Sequence, residues 1–128
     1  MNINLNLLNK SLDGLWLRQQ TTMDNIANYS TPGYKSKFVD FESQLKGKIE
    51  NIISNQNLKK PILNEQIENS SAIIRENDNQ SVRLDGNNVD LEKENIELAK
   101  TQLQYMYTIT EMNSYFAKLK SVISEGKK

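Results

Sequence analysis

Chemistry at a protein site usually starts from an imidazole, a thiolate or a gathered pair of carboxylates. This sequence has no histidine and no cysteine. The commonest general base, the thiolate nucleophile, the disulfide and the nitrogen or sulfur metal site are therefore all excluded. What remains is oxygen chemistry. Asp85, Asn87 and Asp90 invite a calcium reading, but a calcium loop needs oxygen ligands at positions 1, 3 and 5 and glycine at 6. Counted from Asp85, position 5 is Val89 and position 6 is Asp90, so the pattern fails. Asp85-Gly86-Asn87-Asn88 reads instead as a turn, and Asp90 as the cap of the helix that follows. Glu92 and Glu94 sit where the positive end of that helix welcomes carboxylates, and no glycine-rich phosphate loop accompanies them. The acceptor patterns Asn28-Tyr29-Ser30 and Asn69-Ser70-Ser71 are short enough to arise by chance. The expectation is a protein that is not an enzyme, with no catalytic residue, no cofactor and no metal.

Charge and hydropathy narrow the partners. Sixteen basic and sixteen acidic residues cancel, and the basic ones form no stripe. A nucleic-acid binder needs an excess of them to displace counterions, so no nucleic-acid partner is expected. No run of eighteen apolar residues spans a bilayer, so no direct membrane insertion is expected. The opening Met1–Leu8 has no basic or apolar region of the secretory kind, and export without a cleaved signal is the corresponding expectation. Apolar residues are 37% of the chain, a low share for a compact domain. Such a chain builds a thin core and gains from a partner's surface.

The elements that would position any site are mainly helical. From Ile3 to Asn28, Leu5, Leu8, Leu12 and Leu15 step by three and four, and Gln19, Thr22 and Ile26 continue the register. That helix would be about 39 Å long. Gly14 inside it reads as a flaw costing about 1 kcal/mol relative to alanine. From Leu91 to Ser124, Leu91, Leu98, Tyr105, Met112 and Leu119 form one heptad position, and Asn95, Gln102, Ile109, Phe116 and Ile123 the other. Asp90 caps this helix, which would span about 50 Å. Between the two, Pro32-Gly33 marks a turn. Phe41, Leu45, Ile49 and Ile52 mark a shorter helix over 40–55. Residues 54–71, polar and interrupted by Pro61, read as a mobile loop. Ala72–Arg75 and Ser81–Leu84 read as a small β-hairpin.

The fold class expected is thus mainly α. Two long terminal helices pack as an antiparallel, coiled-coil-like hairpin, with a shorter middle helix, a loop and a small β-hairpin. Segments 1–34 and 85–128 form a discontinuous terminal-helix assembly domain, and 35–84 is the middle segment. A two-helix hairpin buries one stripe per helix, yet Trp16 and Met23 on one helix, and Leu103 and Met106 on the other, supply a second apolar edge. The expected assembly interface therefore comprises Leu5, Leu8, Leu12, Leu15, Trp16, Met23 and Ile26, with Leu98, Leu103, Tyr105, Met106, Ile109, Met112, Phe116, Leu119 and Ile123. A helical adaptor or export chaperone that never polymerises is the competing reading.

Two stretches carry a family resemblance. Asn25-Ile26-Ala27-Asn28 followed by Ser30-Thr31-Pro32-Gly33-Tyr34-Lys35 resembles the N-terminal motif of flagellar rod and hook proteins, with Asn25, Asn28, Thr31, Pro32, Gly33 and Tyr34 as its turn. Leu15, Arg18, Gln19 and Gln20 precede it in the same pattern. The run from Val82 to Glu94, VRLDGNNVDLEKE, continued by Glu97-Leu98-Ala99 and Gln102-Leu103-Gln104-Tyr105, resembles proximal rod proteins of the FlgB type. The chain departs at Tyr29-Ser30, where the family usually has Ala-Asp, and residues 54–71 carry no match. The resemblance implies a structural subunit of the bacterial flagellar basal body. Such a subunit self-assembles through its terminal helices into the proximal part of a torque-transmitting rod, in the periplasmic space. It implies type III export, and as partners copies of itself, other rod proteins, the small ring-to-rod adaptor and the export gate.

Overall fold

The computed structural model describes residues 2–54, 60–81 and 83–127. Its frame is a pair of long antiparallel helices, α1 (Ile3–Ala27) and α4 (Leu91–Glu125). The Asn2 side chain accepts from Asn4 N at 3.1 Å and caps α1. The Asp90 carboxylate accepts from Glu92 N and Lys93 N at 3.1 and 3.2 Å and caps α4, with Glu92 and Glu94 in its first turn. Where α1 ends α4 begins: Asn25 Nδ2 donates to Glu94 Oε2 at 3.1 Å. At the other end, Asn4 and Leu8 share a groove with Glu111, Tyr115 and Lys118. Since α4 has 35 residues and α1 has 25, the last turns of α4 run past α1, and every residue from Phe116 to Lys127 is exposed.

Between them come β1 (Lys37–Asp40), α2 (Glu42–Ser54), α3 (Lys60–Glu68) and β2 (Ile73–Glu76). The strands pair antiparallel with Val39 opposite Ile74, and Asn77 N extends the ladder to Ser36 O at 2.8 Å. The core is small: Leu15, Val39 and Phe41, with Leu17, Ala72 and Tyr105 packed against them. Gly14 proves to be a packing requirement as well as a propensity loss. A Cβ there would lie 2.5 Å from Phe41 Cγ, so only glycine lets the ring lie on the helix. Arg18 completes that contact, with its guanidinium 4.7 Å from the centre of the Phe41 ring and a hydrogen bond to Val39 O at 3.2 Å.

Two segments differ from the sequence reading. Within 54–71, expected to be a mobile loop, residues 60–68 form α3; residues 55–59 and the side chain of Ile52 lie outside the described residues. Pro61 falls in the first turn of α3, where its missing N–H costs nothing. Leu63 and Ile67, four apart, supply its buried stripe. Asn6 Nδ2 reaches Asn64 Oδ1 and Glu68 Oε1 at 3.3 and 3.2 Å, tying α3 to α1. The expected hairpin of 72–75 with 81–84 does not form. The first of these strands exists as β2, but it pairs with β1. Residues 83–85 turn instead, with Gly86 N on Arg83 O at 3.1 Å, and Val82 lies outside the described residues.

Candidate assembly surface

The two ends of the chain meet in a tip built on asparagine amides. Asn25 is fully buried. Its Oδ1 accepts from Lys37 N at 2.9 Å and from Tyr34 Oη at 3.1 Å, and its Nδ2 donates to Lys37 O at 2.7 Å and to Glu94 Oε2. One side chain thus closes α1, fixes the outer edge of β1 and holds the start of α4. Asn87 is also fully buried, and its Nδ2 reaches the carbonyls of Asn28, Tyr29 and Thr31 at 2.8, 3.1 and 2.8 Å. These carbonyls lie just past the end of α1, and each also accepts from a second donor, Thr31 N, Arg83 Nη1 and Tyr34 N in turn. Asn88 Oδ1 takes Ser36 N at 2.7 Å, while its Nδ2 reaches Asn77 O and Asn79 O at 2.9 and 3.1 Å.

Glycine lets the two turns cross. Gly33 and Gly86 have φ of 71° and 77°, the region an L side chain avoids. Gly33 N donates to Asp85 O at 2.7 Å, and Lys35 Nζ to Gly86 O at 2.8 Å. Asp85 accepts from Asn87 N at 3.1 Å and pairs with Arg83 at 2.9 Å. Asp85, Asn87 and Asp90, which invited a calcium reading, are thus spent on a turn, an amide clamp and a helix cap. Sequence reasoning passed over Asn87 and Asn88 as turn formers, and no local signal marks them as buried amides. Of the motif turn, Asn25 is buried, Asn28 and Tyr34 are half-buried, and Thr31, Pro32 and Gly33 are exposed.

Away from the tip the helices behave differently. On α1, Leu15 is buried, Leu5, Leu8, Leu12 and Ile26 are half-buried, and Trp16 and Met23 are exposed. On α4, Leu98, Tyr105 and Met112 are half-buried. The second expected heptad position does not share that face. Asn95, Gln102, Ile109, Phe116 and Ile123 are all exposed, as are Leu103, Met106 and Leu119. Glu94, Thr101, Thr108 and Tyr115 take the more sheltered position instead. The reason lies in α1, whose last two turns offer Thr21, Thr22 and Asn25 as buried residues, so the polar edge of α4 finds polar company there. The match is incomplete. Thr101 is fully buried, and neither its Oγ1 nor Gln104 Oε1 has a hydrogen-bond partner among the described residues. Burial also raises the Glu94 carboxyl above its usual value; neighbouring Glu97 and Asp90 push the same way, while the Asn25 hydrogen bond and Lys93 oppose. Burial, followed by Asp24, Glu94 and Glu76, raises the Tyr34 phenol, which keeps it a donor to Asn25.

The outer surface of α4 is the converse. Ile96, Leu103, Met106, Tyr107, Val122 and Ile123 are each more than half exposed, by 62, 57, 64, 74, 68 and 61%. Ile96, Leu103 and Tyr107 fall on one face at helical spacing with Met106 beside it, and such an exposed apolar cluster is a candidate interaction surface. Among the described residues, no three His, Cys, Asp or Glu side chains gather to hold a metal, and no helix is long and apolar enough to cross a membrane.

Fold and surface together define a mainly helical protein built on a terminal-helix hairpin. No protein-family model matches the chain. It is 32% identical over 120 residues to the flagellar basal body rod protein FlgB of Bacillus subtilis (strain 168), covering 94% of this chain and 92% of that protein. It is 30% identical to FlgB of Borrelia hermsii over an alignment 143 positions long, covering 94% of this chain and 96% of that protein. With FlgB of Yersinia enterocolitica it shares 29% over 120 residues, 85% of each. The chain belongs to the FlgB family of flagellar basal body rod proteins.

Proposed function

We propose that this chain is a structural, non-catalytic subunit of the proximal rod that polymerises through its terminal helices. The observation that carries the reading is the orientation of α4: much of its polar edge is turned toward α1 and a broad apolar edge faces outward. Each exposed Leu, Ile or Phe that a neighbour covers contributes about 1.5–3 kcal/mol. Much of that offsets the entropy of association and ordering. Contacts that repeat without closing build a helical shaft, and torque then passes through many packed side chains at once. Segments 1–34 and 85–128 act as the assembly part and 35–84 as an appended middle. The site is the rod in the periplasmic space, reached by type III export without a cleaved signal. The partners are copies of this chain, other rod proteins, the ring-to-rod adaptor and the export gate. Weak closure of the isolated hairpin suits passage through a narrow channel.

The test uses Leu103→Asp and Phe116→Asp. Both side chains are exposed in the monomer, so folding by circular dichroism should be unchanged while motility and concentration-dependent light scattering are lost. Normal swimming in both variants would overturn the assignment. One-to-one binding of a partner with no growth in particle size would favour the adaptor reading.

A further inference from the structure

The sequence holds two Asp-Gly bonds, Asp13-Gly14 and Asp85-Gly86. Such a bond can rearrange without an enzyme. The glycine nitrogen attacks the side-chain carbon Cγ of the aspartate, the carboxyl loses one oxygen as water, and a five-membered succinimide forms. Water then adds to one of the two ring carbonyls. Addition at Cγ restores aspartate, and addition at the former backbone carbonyl leaves isoaspartate, whose main chain runs through the side chain. One water leaves and one enters, so the mass is unchanged and nothing is oxidised or reduced. Glycine suits the step because no Cβ hinders its nitrogen.

The structure closes the two bonds by different means. Gly14 lies inside α1, where its N–H belongs to the helix ladder. Asp85-Gly86 lies in a turn and is held by bonds from outside it. Gly86 N, the attacking atom, donates to Arg83 O at 3.1 Å. Asp85 Oδ1 accepts from Asn87 N at 3.1 Å, and Oδ2 from Arg83 Nη2 at 2.9 Å, so swinging Cγ toward Gly86 N breaks both. The carbonyls on either side are engaged too: Asp85 O accepts from Gly33 N at 2.7 Å, and Gly86 O from Lys35 Nζ at 2.8 Å. Arg83 is itself fixed, donating to Tyr29 O at 2.8 Å with its guanidinium 4.6 Å from the centre of the Tyr29 ring.

We propose that Asp85-Gly86 is a site of spontaneous isoaspartate formation that the closed tip keeps shut, with Arg83 as its latch. The bond reacts in an unfolded chain and wherever the tip is loosened. The product matters to the fold. Isoaspartate adds one carbon to the main chain and turns the Asp85 carbonyl, the acceptor of Gly33 N, into a free carboxylate. The two turns then cannot cross as they do, and a chain altered while open does not close its tip again. Asp13-Gly14 is a reference within the same molecule, because its protection comes from α1 and not from Arg83. Nothing in this chemistry depends on self-assembly.

The test ages the full chain at neutral pH, in native buffer and in guanidinium chloride. Peptide mapping separates aspartyl from isoaspartyl peptides of equal mass. In denaturant the two Asp-Gly bonds should convert at similar rates. In native buffer both should slow, Asp85-Gly86 by about tenfold or more, because opening it breaks several hydrogen bonds. Arg83→Gln should return much of the lost rate to Asp85-Gly86 in native buffer and leave Asp13-Gly14 slow. Lys35→Ala, which frees the Gly86 carbonyl alone, should give a smaller rise at the same bond. Chain carrying isoaspartate at 85, returned to native buffer, should melt at a lower temperature than unaltered chain. Equal rates at Asp85-Gly86 in native buffer and in denaturant overturn the proposal, as does no rise in either variant. Both bonds quickening together in Arg83→Gln would show general unfolding and overturn the latch. An unchanged thermal midpoint in the isoaspartyl chain would overturn the consequence drawn for the tip.

Discussion

The tip and the long arm of the same hairpin solve opposite problems. At the tip, three asparagines share their amides among carbonyls and N–H groups from residues 28 to 89, and both turns use glycine where positive φ is required. Along the arm, Thr101 and Gln104 bury oxygens without partners, Glu94 is partly desolvated, and the apolar edge lies in water. The tip is finished within one chain. The arm leaves buried oxygens unpaired against α1 and its apolar edge uncovered. The difference separates residues that hold this fold from residues that it leaves uncovered, which sequence pattern alone runs together.

The largest effect expected from breaking the contrast is Asn87→Ala. It removes the Nδ2 donors shared by the Asn28, Tyr29 and Thr31 carbonyls, and the Oδ1 that accepts from buried Val89 N at 2.8 Å. A net hydrogen bond is worth about 1 kcal/mol, and a buried donor left unmade, here Val89 N, costs more. The variant should lose about 3 kcal/mol by denaturant unfolding. A loss below about 0.5 kcal/mol, the usual range for surface changes, would mean that the tip does not hold the chain ends together.

A smaller effect, of opposite sign, is expected on the arm. Thr101→Val keeps the shape of the side chain and deletes an oxygen that is buried without a partner. Removing an unsatisfied polar atom should stabilise the monomer by about 1 kcal/mol, read as a higher thermal midpoint. Destabilisation would show that Oγ1 is satisfied in solution and that the hairpin is better closed than the contrast requires.

The sequence disclosed what depends on local rules. The ladder of Leu5, Leu8, Leu12 and Leu15, the Asp90 cap and the Pro32-Gly33 and Asp85–Asn88 turns are each written within a few residues, and each stands in the structure. What it did not disclose depends on distant partners. The strand β1 is four residues long with Val39 as its buried side chain, too short to show alternation, and its outer edge is satisfied by Asn25 and Arg18 side chains from α1. The helix α3 has only Leu63 and Ile67 as its buried stripe, and Pro61 resembles a breaker until its place in the first turn is known. The face of α4 was misjudged for a different reason. Periodicity locates an apolar edge, but it does not say whether that edge meets α1 or a neighbour. Asn87 carries no local mark, since a buried amide and a turn asparagine look alike in sequence.

The finest probe of the contrast lies where tip and arm join. Glu94 accepts a hydrogen bond from the Asn25 amide at 3.1 Å, yet burial keeps its carboxyl raised above the ordinary value. A raised carboxyl means that the folded chain holds this proton more tightly than the unfolded chain does. Its stabilising contribution is therefore complete below the unfolded value and is lost as pH climbs through the raised folded one. At neutral pH the charged form is held at a cost. Glu94→Gln keeps an oxygen to accept from Asn25 and removes the charge. Its thermal midpoint should exceed that of the native chain at pH 7, and the gap should narrow as pH falls through the carboxyl range. The native chain being the more stable at pH 7, with the gap widening upward, would show the carboxylate to be a wanted partner of Asn25, and the finished tip would extend one turn further into α4.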